Sequence, residues 1–207
     1  MIVICIITAL ASYFLGSIPT GYLVARAKGV DIRSVGSGNI GATNVFRILG
    51  KGAGIFVLTV DGLKGYFGCS IGGILFRQAV SEGRVDGIIL SVIGALGAIL
   101  GHNYTCWLRF KGGKGIATSA GALVALLPYP FLCILSVWLV VFALSRYVSL
   151  ASIAAAAALP FSTWYFTRSG LLTSVSTAMS ALAIYKHRAN IERLLAGKES
   201  RIGRSKT

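Results

Sequence analysis

Acidic residues are rare in this chain. Six occur among its 207 residues, at 31, 61, 82, 86, 192 and 199, too dispersed to supply the clustered carboxylates of a two-metal phosphotransferase. A G-x-S-x-G elbow for a serine nucleophile is missing. Cysteine is sparse as well: Cys5, Cys69, Cys106 and Cys133 form no C-x-x-C pair and three of them fall inside apolar runs, which predicts free thiols and argues against a disulfide framework or a zinc site. Charged residues of both signs amount to only 13%. The chain is instead 55% hydrophobic, and its mean hydropathy of +0.78 is too high for a soluble domain of this length. This composition predicts an all-α polytopic membrane protein. Its few charges are lopsided, 20 Lys and Arg giving a net charge of +14, which suits anionic lipid headgroups or anionic substrates.

Apolar runs at 2–24, 52–76, 87–101, 116–127, 131–144, 148–166 and 171–185 predict up to seven crossings within a single domain, 1–207. No basic residue precedes the first run, and its flanking charges, Arg26 and Lys28, follow it. That pattern argues against a cleaved signal peptide and places the N-terminus outside. The inner segments 25–51, 103–114, 145–147 and 186–207 then carry sixteen Lys and Arg, the outer segments 77–86 and 167–170 carry three, and Lys64 lies inside a run. Such a bias predicts a cytoplasmic C-terminus. The run 116–127 is short for a crossing at about 1.5 Å per residue, and "PYP" at 128–130 separates it from the next. A re-entrant pair leaving five spans is therefore the alternative, and it keeps the same loops inside.

Three polar stretches meet the inner surface: "SVGSGNIGATNVFR" at 34–47, "GHNYTCWLRFKGGKGIATS" at 101–119 and "KHRANIERLLAGKESR" at 186–201. Within the first, Gly36 to Gly41 satisfies G-x-G-x-x-G, with Asp61 twenty residues beyond. A dinucleotide turn needs a buried strand before it and a parallel sheet around it, whereas this stretch soon enters a membrane run that carries Asp61 out of reach. The glycines, packed with Ser37, Asn39, Thr43 and Asn44, allow tight turns whose N–H groups suit phosphate oxygens, and Arg47 adds a bidentate cation. The plainer alternative is a loop in which glycine only permits close packing.

"FKGGKG" at 110–115 is not a P-loop, because Gly115 follows Lys114 and Leu108 stands where the first glycine belongs. It reads as a flexible cationic loop carrying Arg109, Lys111 and Lys114, or more simply as a positive-inside flank. In the third stretch Ile191, Leu194 and Leu195 share a helix face, Gly197 is a C-cap candidate, and His187 and Asn190 are three apart on one face. A solvated helix start is the ordinary reading of that pair, and His102, ending a run, could equally be a packing residue. Asp61 and Lys64, costly inside a span, are spaced for mutual neutralisation or a bond to another helix.

"GSGNIGATNVFR", "GHNYTCWLRFKGGKGIATSAG" and "HRANIERLLAGKE" together resemble the three motifs of the bacterial membrane glycerol-3-phosphate acyltransferases that use acyl phosphate as donor. The resemblance extends over essentially the whole chain, including "DGLKG" in the second run. It implies transfer of a fatty acyl group to the 1-hydroxyl of glycerol 3-phosphate, giving 1-acylglycerol 3-phosphate (lysophosphatidate) and phosphate, the first committed acylation of phospholipid synthesis. His102 and His187 are followed five positions on by Trp107 and Glu192, so the H-x-x-x-x-D signature of acyltransferases with thioester donors is missing, as the resemblance implies. It also implies Ser37, Arg47, Lys114, His187 and Asn190 as catalytic residues, Gly112, Gly113 and Gly115 as glycerol 3-phosphate ligands, and a structural role for Glu199. Asn39, Thr43, Asn44, His102 and Lys111 complete the expected substrate-binding set. Lys111 and Lys114 both remain open as the main phosphate ligand, and His187 and the substrate phosphate both remain open as the base. No metal, cofactor, nucleic acid or obligatory protein partner is expected beyond the lipid bilayer. The expected location is the bacterial plasma (inner) membrane, with the active site on its cytoplasmic face. The competing expectation is an organophosphate or anion transporter, whose site residues would spread to the bilayer midplane.

Overall fold

The computed structural model describes residues 1–203; residues 204–207, the end of the basic segment 186–207, lie outside the described residues. Among the described residues the regular structure is all helical, and each of the seven apolar runs becomes a helix. The two largest departures from the runs both occur at proline. The first run breaks into α1 (Ile2–Ser17) and α2 (Thr20–Ala27), because Pro19 disfavours helical geometry in the residue before it and Ile18 leaves the helix at φ −55°, ψ 113°. "PYP" does not separate two helices. Pro128 opens α8 (Pro128–Ser145), where a missing N–H is harmless, and the break falls on Leu127.

The chain divides into two compact units, Met1–Leu126 and the part from Leu127 onward. The first contains α1, α2, α3 (Ala42–Leu49), α4 (Lys51–Leu75), α5 (Arg77–Ser81), α6 (Gly87–Asn103), a 3-10 turn at Cys106–Leu108 and α7 (Ile116–Leu126). Its axis is α4, which packs against α1, α3, α6 and α7, while α1 also packs on α6. Glycine permits these approaches: a Cβ on Gly16 would strike Ala98 O across the α1–α6 contact, and one on Gly65 would strike Thr118 O across the α4–α7 contact. Lipid gives helices no apolar reason to associate, so close backbone contact carries the packing.

In the second unit α8 packs on α9 (Val148–Thr167) and α9 on α10 (Gly170–Lys186), followed by α11 (Arg188–Leu195). Two-residue connections join the first three, with Arg146 and Arg168 left-handed at φ 62° and 50° where they cap α8 and α9. Hydroxyls hold the seams: Thr163 and Ser176 bond at 2.9 Å, and Trp138 Nε1 donates to Ser152 Oγ at 3.2 Å.

Hydroxyl residues share the interior with apolar ones: Thr8, Ser12, Ser17, Thr118, Thr163 and Ser176 are fully buried beside Val57 and Leu90, whereas Leu10, Phe67, Val140 and Phe161 are exposed. An apolar exterior suits a lipid solvent. Four helical stretches, Ile2–Ala27, Gly87–Leu108, Pro128–Ser145 and Val148–Thr167, are long and apolar enough to cross a membrane. At 25 residues α4 has the length too, but it carries seven glycines and the buried pair Asp61 and Lys64. With 11 residues, α7 spans only about 16 Å. The four cysteines are free thiols.

Candidate active site

The first motif is a loop organised by one amide. Asn44, in the first turn of α3 and 2% exposed, donates through Nδ2 to the carbonyls of Asn39 (2.9 Å), Val35 (3.1 Å) and Ile32 (3.3 Å). Its Oδ1 accepts the Ser37 N–H at 2.9 Å. Gly36 and Gly38 take left-handed φ of +60° and +68°, and a Cβ on Gly36 would strike Asn44 Oδ1. Glycine is required here by both conformation and space. Asn39 Oδ1 accepts the Gly41 N–H at 2.8 Å, an Asx turn that leads into α3. These bonds leave Ser37 exposed, with Thr43 and Arg47 half-buried on α3. Beside the loop, Arg33 hydrogen-bonds Asp31 and holds its carboxyl at about 2, so that neighbouring cation is already balanced.

The second motif folds back onto the end of α6. Arg109 and Phe110 are both left-handed, at φ 53° and 61°, turning the chain so that Gly112 N–H donates to Asn103 O (3.2 Å) and Gly113 N–H to His102 O (3.0 Å). There is no room for side chains on the inner face of this turn. A Cβ on Gly112 would strike His102 O and one on Gly113 would strike His102 Nε2, while Gly115, at φ +80°, would place one 2.6 Å from Asn103 Oδ1. The loop thereby sets Lys111 on the exposed side and Lys114 half-buried at the mouth of α7. His102 is 5% exposed and forms the floor of the turn. Asn103, 1% exposed, is a second floor residue that inspection of motifs alone passes over, although its place beside His102 at the end of an apolar run was a usable signal.

The structure brings the first two motifs together. Leu108 of the second shares a buried cluster with Ile40 and Val45 of the first and Ile32 just before it, along with Ala25 of α2 and Val57 of α4. Both loops are thus mounted on one apolar base at one end of the first unit.

The third motif is built inside the second unit. His187, 3% exposed, stands between α10 and α11, and its Nδ1 lies 2.7 Å from Ala183 O. A carbonyl only accepts, so Nδ1 carries the proton and Nε2 is the basic nitrogen of the neutral ring. Asn190, 5% exposed, donates through Nδ2 to Glu199 Oε1 at 2.7 Å. Glu199 also accepts from Ser149 Oγ (2.8 Å) and Arg193 Nε (2.7 Å). Burial raises its pKa, but the bonds from Asn190, Arg193 and Ser149 outweigh that and hold the carboxyl below its ordinary value. Gly197, left-handed at φ +66°, ends α11 just past its cap.

An integral membrane protein with two glycine-rich cationic loops on one base has the makings of an enzyme for phosphorylated substrates at a lipid surface. The family model for glycerol-3-phosphate acyltransferase matches residues 6–197. The glycerol-3-phosphate acyltransferase of Geotalea daltonii is 47% identical over 195 residues, covering 94% of this chain and 96% of its own. That of Thermosynechococcus vestitus is 46% identical over 201 residues, covering 95% and 94%. Among solved structures, the integral membrane glycerol 3-phosphate acyltransferase PlsY superposes with a TM-score of 0.85 in its glycerol 3-phosphate form and 0.82 in its lysophosphatidic acid form, at 40% identity in both. These cover 96% of this chain, and 96% and 95% of theirs. This chain belongs to the glycerol-3-phosphate acyltransferase family.

Proposed function

We propose that the protein transfers a fatty acyl group from acyl phosphate to the 1-hydroxyl of glycerol 3-phosphate, releasing lysophosphatidate and phosphate. The observation that carries this reading is the pair of glycine-rich loops on one apolar base, the first leading into the helix of Arg47 and the second carrying Lys114. Both substrates are phosphate anions, and aligning them calls for cations and backbone N–H groups on a fixed frame. Arg47 and Ser37 on the first loop, and Lys111, Lys114 and the glycines of the second, serve as those ligands in this reading. The donor already carries a good leaving group. Electrostatic stabilisation and alignment then suffice without a covalent enzyme intermediate. The hydroxyl proton goes to His187 Nε2 or to the acceptor's own phosphate, and Asn190, oriented by Glu199, is the remaining polar contributor.

The same reading puts the enzyme in the bacterial plasma membrane with its N-terminus outside, seven crossings or five with a re-entrant pair, and both loops at the cytoplasmic face. The concentration of Lys and Arg in the segments bearing the motifs supports that orientation.

Incubating the purified protein in lipid with labelled glycerol 3-phosphate, chelator and either acyl phosphate or acyl-CoA tests the proposal. Labelled lysophosphatidate is expected from acyl phosphate alone. Product from acyl-CoA alone would overturn the donor, and bound glycerol 3-phosphate with no lipid product would move the assignment to a transporter.

A further inference from the structure

A buried ion pair in α4 lies outside all three motifs. Lys64 Nζ is 2.7 Å from Asp61 Oδ1, with the two side chains 4% and 3% exposed. If the pair only cancelled itself, no further polar contact would be needed, yet Lys64 reaches two other segments. Its Nζ donates to Ile18 O at 2.8 Å and stands 3.4 Å from His102 Nδ1. The ammonium therefore has its counter-charge on α4 and two further polar contacts on other segments, a carbonyl and a ring nitrogen.

The ring faces this pair through Nδ1, which stands 3.4 Å from Lys64 Nζ and 3.8 Å from Asp61 Oδ1. Toward Lys64, which only donates, the neutral ring presents its lone pair. The Nε2 edge is the one that lies under Gly113, in the space a Cβ there would need. From Lys64 through His102 the contact therefore continues into the turn of the second loop.

The other arm leads to the first loop. Ile18 is at the corner where Pro19 parts α1 from α2, and the adjacent Ser17 O accepts from Thr105 Oγ1 at 2.6 Å. Three residues on, Gly21 is pressed against the Ile40 carbonyl of the first motif. One side chain thus ties α4 to the corner that backs the first loop and to the ring that floors the second.

We propose that Lys64, held by Asp61, is a positioning residue for glycerol 3-phosphate: it locks the α1–α2 corner and the His102 ring to one point and so sets the spacing of the two anion-binding loops. Lys64 does not itself touch the substrate. The inference rests on the reading of those loops as phosphate sites.

The test compares wild type with Lys64→Arg, His102→Asn and the double variant Asp61→Asn/Lys64→Met, which removes both charges and strands neither. Each is read for thermal unfolding, for KM toward each substrate, and for direct binding of labelled glycerol 3-phosphate with no donor present. The double variant is expected to unfold within a few degrees of wild type, with KM for glycerol 3-phosphate raised about tenfold or more and KM for acyl phosphate changed by less than about twofold. Direct binding weakens in proportion, and Lys64→Arg, which keeps the charge and the donors, retains part of the affinity. An unchanged KM, or equal increases for both substrates, overturns the proposal. Should the double variant fail to fold, His102→Asn decides: it keeps an acceptor for Lys64 but removes the ring edge under Gly113, and the same split in KM is required. Absence of glycerol 3-phosphate binding by the unaltered protein overturns the reading of the loops, and this proposal with it, before any variant is compared.

Discussion

The two glycine-rich loops of the first unit look alike in sequence and are held by opposite means. The first is organised from within. Asn44 gathers four backbone groups of a loop that begins only twelve residues before it, and each bond is neutral. The second is organised from below, by the backbone and side chain of His102 and by a charged network that reaches into α4, 38 residues away in sequence. A locally tied loop forms with its own helix, whereas one tied to a buried ion pair depends on correct packing of the membrane bundle. The first can therefore be damaged by a local change, and the second by a change deep in the fold.

The largest expected effect comes from crowding the floor of the second loop. In Gly113→Ala the new methyl would overlap His102 Nε2, and the ring has little freedom to yield because Nδ1 faces Lys64. The turn must lift. KM for glycerol 3-phosphate is expected to rise about tenfold or more with a drop in kcat, since overpacking costs of roughly 1–3 kcal/mol fall on the loop proposed to bind that substrate. Steady-state kinetics with each substrate varied in turn checks this; unchanged kinetics would show that the loop tolerates being raised.

Asn44→Ala attacks the first loop at its centre. It strands the carbonyls of Ile32, Val35 and Asn39 and the N–H of Ser37, at a cost of about 2–4 kcal/mol, softened by whatever water enters an exposed loop. A lower unfolding temperature is expected together with weaker substrate binding. Because the damage is local, cleavage by a protease in the segment 28–41 should increase more than cleavage elsewhere. Uniform susceptibility along the chain would mean that the loop is not the independent element its bonding implies.

How much of this was legible beforehand follows from the range of each interaction. Every apolar run is helical, the first as two helices parted at Pro19, because hydropathy is a property of contiguous residues. The prolines at 128 and 130 read as a separator but lie in the first turn of α8, since a proline breaks a helix interior but is accommodated in a first turn, and composition does not reveal which it occupies. Asp61 and Lys64 were readable as a pair through their i, i+3 spacing, and the bond to another helix was anticipated. That the partner would be His102 was not readable, for nothing local links residues 64 and 102. Asn44 illustrates the converse: an amide among glycines invites assignment as a ligand, while the fold engages it with its own backbone. The motifs mark the loops, but not which of their members hold those loops in shape.

The third motif extends the comparison with a loop held by a charge that is local. Glu199 binds Ser149, Asn190 and Arg193, all within the second unit, and its carboxyl is kept below the ordinary value of 4.5 because those three bonds outweigh burial. A depressed folded pKa means that the stabilisation is fully present above the ordinary glutamate range and is lost as pH falls through the folded value, below 4.5. Glu199→Gln keeps the shape and one acceptor but weakens the charge-assisted bonds, each worth about 1.5–3 kcal/mol at most, with the bond to half-buried Arg193 worth less. Near neutral pH the variant should unfold a few degrees below wild type, and the two curves should converge as the pH is lowered into the acid range, because protonated Glu199 then resembles glutamine. This is the smallest of the expected effects and the most specific, since only a stabilising carboxylate gives a difference that disappears in acid. Parallel curves at every pH would mean that shape, not charge, holds Asn190 in place.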